Sequence, residues 1–442
     1  MDALLDQVTE LHCEAPLPSM VRVRQHFDAP VLESIEAGVR AQLRLLEGKV
    51  RPGMRIGITA GSRGVANIAA ILRATGDVVR ELGGRPFIIP AMGSHGGATA
   101  EGQVEVLAGY GVTEASTGLS IVSSMAVRQI GTLGDAGDPG PAVYLSETAL
   151  EADGLIICNR VKPHTDFRGP IESGLAKILA IGLGKHQGAK TIHSFGTRGL
   201  AHWMPQAARL IVGSTNILCG LAILENAYDQ TARVVGLPPE AIGAEGEAAL
   251  LQEAGRLMAS LPFDEIDVLI VDEIGKNVSG TGMDTNIVGR MMIDGVPEFR
   301  RPHARIVVVL DLAEASHGNG IGTGLADVMT VRAARKLDLR TSYINALTSG
   351  IGGVQRVKLP MFLPSDVDAI SAGILCCGRG DPAQARVVRI KNTLEIGELE
   401  VSESLLEEVR ANPRLELIGA AQRLPFDAEG NLPRQAPLPA AR

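Results

Sequence analysis

The chain has 442 residues, 45% of them hydrophobic and only 3% aromatic, with a formal net charge of −8. Such a length allows two or three domains with large cores, and the hydrophobic content excludes a disordered chain. The acidic balance argues against general nucleic-acid binding, and the scarcity of aromatics points to a core of Ala, Val, Ile and Leu, as in parallel sheets covered by helices.

Five cysteines (Cys13, Cys158, Cys219, Cys376, Cys377) form no CxxC pair and sit mostly in apolar runs. Neither a disulfide framework nor a structural zinc site is expected from them. The acidic start, Met1 to Pro16, lacks the basic and apolar regions of a signal peptide, and no apolar run approaches the roughly 18 residues of a membrane span. The expectation is a soluble cytoplasmic protein with neither nucleic acid nor membrane as a partner.

A helix is predicted over Val31 to Glu47, where apolar positions recur at three and four. Met54 to Thr59 follows as a strand, Gly61-Ser62-Arg63-Gly64 as a turn, and Val65 to Leu82 as a helix ending at Gly83-Gly84. Pro86 to Pro90 is the next strand. Gly93 to Gly97 is a second loop, and Thr99 is placed to cap a helix running to Leu107. Ser120 to Val122 and Gly154 to Cys158 complete a strand set. Ser173 to Leu183 reads as a helix, and a helical region continues to about Leu261, interrupted at Gly236-Leu237-Pro238-Pro239-Glu240. Past Pro262 to Asp267 the rhythm restarts, with strands at Val268 to Val271 and Arg305 to Leu310 and a helix over Asp327 to Lys336. Prolines make the last 20 residues an irregular tail. This order predicts an α/β fold: two α/β domains with mainly parallel sheets, residues 1–262 and 263–442, and an active site in the cleft between them.

Three loops could carry chemistry. Gly61, Ser62 and Arg63 sit at a strand end and helix start, where backbone N–H groups and a guanidinium favour an anion; the plainer reading is a tight turn. His95 stands between glycines that present its imidazole rather than bury it, unless it serves as a turn residue. The stretch from Asn159 to Phe195 is strongly basic in an acidic chain and follows an apolar strand. Its His164, after Pro163, reaches the same rim as His95, and two imidazoles facing one pocket can act as an acid–base pair. Lys177 lies within the apolar pattern of Leu175, Ile178 and Leu179, as a snorkelling side chain or a buried, nucleophilic amine. His193 could ligate a metal. Arg160, Lys162, Lys185, His186 and Lys190 are read as surface or supporting residues.

In order and approximate spacing these residues resemble the nickel-dependent lactate racemase family, over most of the chain and most strongly across residues 50–200. The resemblance implies an N-terminal domain like the family's. It also implies a nickel-pincer nucleotide, a pyridinium-3-thioamide-5-thiocarboxylic acid mononucleotide carrying nickel. It makes His95 and His164 the acid–base pair, Lys177 the cofactor tether and His193 the nickel ligand. Arg63, with Gly61 and Ser62, would hold cofactor or substrate carboxylate. The family's lactate enzymes follow Pro-His with an aromatic and Ala-Gly and reach the lysine sooner; here Thr165 to Ala176 intervene. In the second domain Glu273 to Asn286 replaces their Gly-Gly-Tyr-Pro stretch. Lys276, Asp284 and Asn286 are the candidate substrate contacts there.

The expected function is therefore a racemase or epimerase that inverts the C2 hydroxyl carbon of a 2-hydroxy acid by reversible hydride transfer. The substrate would be larger and richer in hydroxyls than lactate, such as an aldonate. The expected partners are that small acid and the proteins that make the cofactor, and a homodimer is compatible with the sequence. The alternative is a metal-dependent hydrolase or dehydratase using the same histidines.

Overall fold

In the computed structural model the described residues are 2–62 and 64–434. They divide into two units, 28–258 and 2–27 with 259–434.

Within 28–258, alternation along the strands sets the two faces of one sheet. Strands Arg55–Ala60, Arg85–Pro90 and Gly154–Arg160 run parallel beside Ile217–Glu225, and Thr231–Leu237 closes the edge antiparallel. Ile56, Ile58, Ile88, Ile156 and Cys158 face one core. Phe87, Ile89, Leu155 and Ile157 face the other. A strand with apolar residues at every position must be covered on both sides. The helices Ile35–Gln42 and Ile68–Glu81 bury Val39, Ile71, Leu72 and Val79 in the first core. The helix Met204–Ser214 buries Ala207, Ala208 and Ile211 in the second. At about 1.5–3 kcal/mol for each large apolar side chain, this double burial fixes the sheet.

Several predicted elements shift. The first helix begins at Ile35, where the Ser34 hydroxyl accepts from the Ala37 N–H at 3.2 Å. The Thr99 cap forms as expected, accepting from the Gly102 N–H at 3.0 Å. Ser120 to Val122 makes only an isolated bridge to Ile88. An unexpected hairpin, Val127–Gly134 with Pro139–Ser146, follows it. The helical region expected up to Leu261 contains two strands, Ile217–Glu225 and Thr231–Leu237. Every residue from Ile217 to Leu224 is buried. An apolar run of that kind lacks the alternation that separates a buried strand from a buried helix.

The other unit holds an eight-stranded sheet. Met361–Leu363, Val328–Thr330, His303–Val309, Glu265–Val271 and Val387–Ile390 are parallel; Glu398–Ser402, Met20–Gln25 and Leu415–Gln422 extend it antiparallel. The segment expected as a helix over Asp327 to Lys336 is a short strand followed by a helix of five residues, Val331–Arg335. The expected split at 262/263 also moves, because residues 2–27 join this unit. Met20–Gln25 alternates Val21 and Val23, both buried, with Arg22 and Arg24. Arg24 pairs with Glu416 at 3.0 Å and Arg22 with Glu398 at 3.6 Å. Opposite charges on neighbouring strands favour this register. Both units are thus α/β with mostly parallel sheets. Among the described residues no helix is long and apolar enough to cross a membrane.

Candidate functional site

Parallel strands deliver their carboxyl-end loops to one edge. Arg55–Ala60 lies between Arg85–Pro90 and Gly154–Arg160, so three loops leave adjacent strands on the same side: the first carries Ser62, the second His95, the third His164. The outer two strands are about 10 Å apart, twice the strand spacing, which places the two histidine loops on either side of the first.

The second loop is shaped by glycine. Gly93, Gly96 and Gly97 all have φ between 61° and 67°. At Gly96 a Cβ would also stand 2.4 Å from the Gly102 backbone. His95 Nδ1 hydrogen-bonds the Ser62 hydroxyl, which joins the first loop to the second. Beneath the loop, the buried Gln103 amide donates to the Gly93 carbonyl at 2.9 Å. The Lys185 ammonium donates to Gln103 Oε1 at 2.8 Å and to the Pro90 carbonyl at 2.6 Å. Lys185, read from the sequence as a surface or supporting residue, is fully buried. His186 and Lys190 are exposed as expected.

Glu172 organises the third loop. Its carboxylate accepts from the His164 N–H at 2.6 Å, the Gly169 N–H at 3.2 Å and the Arg168 guanidinium at 3.3 Å. Burial pushes this carboxyl above its usual range, against those bonds. The His164 ring packs on Phe167, with centroids 4.6 Å apart. Its Nδ1 accepts from the Asp166 N–H at 3.0 Å, and its Nε2 lies 2.7 Å from Lys177 Nζ. The contact ties the His164 imidazole to the Lys177 amine, and which of the two donates follows the tautomer of the ring.

The element bearing Lys177 is irregular. One helical turn, Leu175–Lys177, runs straight into a π-helical turn, Ile178–Gly182, in which the Leu183 N–H reaches the Ile178 carbonyl at 2.7 Å. Such widened turns recur at functional sites. Buried Glu247 accepts from the Ala176 N–H at 3.1 Å and the Gly243 N–H at 2.8 Å, which fixes where the helix starts. A Cβ on Gly174 would stand 2.2 Å from Glu247 Oε1. His193 ends the helix Lys185–His193. Burial, and then the neighbouring Lys177, hold its imidazole below its ordinary value. A neutral imidazole is the form that ligates metals. Among the described residues no group of three or more His, Cys, Asp or Glu side chains is placed to hold a metal ion.

The structure thus brings Ser62, His95, His164, Lys177 and His193 to one unit. Gly61 joins them, because a Cβ there would touch Asn159 and Ile178. Arg63 lies outside the described residues. Beside it the Ala66 N–H is taken by Glu225 at 2.7 Å, and Glu225 also pairs with Arg160. Lys276, Asp284 and Asn286 belong to the other unit. Lys276 donates to the Gly280 carbonyl at 2.6 Å. Asp284 accepts from the Asn286 N–H at 2.9 Å and from its side-chain amide at 2.8 Å.

Sequence reasoning passed over Glu172, Glu247, Gln103 and the burial of Lys185. One signal was present for the first: Asp166 and Glu172 are the two acids of the basic Asn159 to Phe195 stretch; the Glu172 carboxylate accepts from the His164 N–H, and that of Asp166 lies 3.9 Å from His164 Nδ1. Glu247 and Gln103 gave no local sign. No family model matches the chain, and no curated protein matches it.

Proposed function

We propose that the protein is a racemase or epimerase of 2-hydroxy acids that works with a nickel-pincer nucleotide. The observation that carries this reading is the His164–Lys177 hydrogen bond, which joins one imidazole to the residue the resemblance makes the tether. A metal ligand held neutral at His193 and a second imidazole on a neighbouring loop fit the same group.

When bound, the cofactor supplies a hydride acceptor, so inversion at a poorly acidic carbon avoids a carbanion. The chain's residues hold and move the proton. Nε2 of each ring is assigned to the substrate hydroxyl: Nδ1 is engaged by Ser62 in His95 and by the Asp166 N–H in His164, and the Lys177 amine that faces His164 Nε2 would turn from it to hold the cofactor. One imidazole removes the hydroxyl proton from one hand of the substrate, and the other, already protonated, supplies a proton for the opposite hand. Glu172 and Phe167 hold His164 in place for that transfer. Lys177 would hold the cofactor, and His193 its nickel. A cytoplasmic setting goes with this reading, because other proteins there would make the cofactor.

The test is purification from cells that make the cofactor, followed by intact mass, nickel content and chiral analysis of 2-hydroxy acids, aldonates included. The reading expects about one nickel per chain, a mass increment that Lys177→Ala abolishes, nickel loss in His193→Ala, and inversion lost in both His95→Ala and His164→Ala. Inversion without nickel would overturn it. Hydrolysis or dehydration with zinc or iron in its place would establish the alternative.

A further inference from the structure

We infer that Lys185, acting through Gln103, positions His95. Lys185 combines two costs in a residue that the proposed chemistry does not use. Its side chain is fully buried, and its hydrogen-bond partners are two uncharged oxygens, the Pro90 carbonyl and Gln103 Oε1. An ammonium buried without a carboxylate is expensive, and an apolar side chain would fill the space at lower cost. Its backbone is also left-handed, with φ at 53°, which a non-glycine residue adopts only when its surroundings impose it. Burial accordingly lowers its ammonium to about 8.

Both partners lead to the His95 loop. Pro90 ends the strand that feeds it. Gln103 is fully buried, and its amide has two different ends. An ammonium only donates, so it claims Oε1. That turns Nε2 toward the Gly93 carbonyl at 2.9 Å, within 3.5 Å of the His95 carbonyl. Without Lys185 the amide could turn over and set its oxygen against the Gly93 carbonyl. The restraint matters because three left-handed glycines give the loop little packing of its own. The chain of bonds therefore runs from ammonium to amide to loop carbonyl, and fixes the backbone that presents the imidazole to Ser62.

The consequence for turnover rests on the racemase reading; the placement of the loop does not. Gln103→Glu separates positioning from simple core stability. It gives the buried ammonium a carboxylate partner, yet removes the donor to Gly93. Hydrogen exchange of the Ala91 to Thr99 amides is measured in the full chain for wild type, Lys185→Met and Gln103→Glu, with the Arg85–Pro90 strand as internal reference. The expected result is about tenfold faster loop exchange in both variants, with Gln103→Glu melting no lower than wild type. In the nickel-loaded enzyme, kcat should fall about tenfold or more with KM and nickel content unchanged. Should Lys185→Met fail to fold, Gln103→Glu alone decides. Loop exchange in Gln103→Glu within about twofold of wild type would overturn the inference. A wild type that inverts no 2-hydroxy acid would sink the racemase reading and leave the exchange result to decide the positioning.

Discussion

Lys185 also makes a prediction about stability. Its ammonium is lowered by burial from 10.5 to about 8. Between those values the unfolded chain binds more protons than the native one, so native stability rises with pH across that window. Relative to Lys185→Met, the wild type should gain about 2 kcal/mol between about pH 7.5 and about pH 9.5, read from urea midpoints; a constant difference would contradict the burial of a titrating amine. Glu172 makes a second. Glu172→Gln places an amide N–H against one of the donors that the carboxylate now accepts. It should destabilise the Asp28–Met258 unit by about 2 kcal/mol, measured by thermal melting. The difference between these residues and His95, His164, Lys177 and His193 explains what the sequence allowed. Imidazoles and a lysine beside glycines after an apolar strand announce themselves locally. Gln103 and Lys185 are 82 positions apart, and Ala176 and Glu247 71 apart. Only the fold joins them.

At the scale of elements, the Lys177 turn is held by its cap. Gly174→Ala would drive a methyl group into Glu247 Oε1. The variant should lose about 2 kcal/mol or more, and the mass increment on Lys177 should fall with it, because the turn that aims the amine begins at that cap. A melt and an increment both unchanged would show that the cap does not aim it. The parallel strand–loop–helix rhythm of residues 54–107 and 154–160 was readable because each short apolar run ends at a glycine loop. Ile217–Glu225 was not, since burial on both faces erases its alternation. The hairpin Val127–Gly134 with Pro139–Ser146 failed for a different reason: its first strand exposes or half-buries every residue and gives little apolar signal.

For the whole molecule, the strand Met20–Gln25 has the largest consequence. It lies inside a sheet, between Glu398–Ser402 and Leu415–Gln422, rather than at an edge. Deleting residues 1–27 should therefore unfold the unit containing 259–434 and leave residues 28–258 with a cooperative transition of their own, as limited proteolysis and calorimetry would report. A truncated chain that melts like the full one would refute that assignment. The two α/β units were legible from the restart of strand and helix signals near residue 263. The return of the N-terminal segment was not, because the Arg22 and Arg24 partners lie near the other end of the chain.

The central claim is inversion with internal return of the Cα hydrogen, using Nε2 of His95 and His164 for the hydroxyl proton. The most direct measurement follows a 2-hydroxy acid deuterated at Cα through a reaction of the nickel-loaded protein in ordinary water. The account predicts inverted product that keeps its deuterium, and none from His95→Ala or His164→Ala. Inverted product with the label lost to solvent would contradict it.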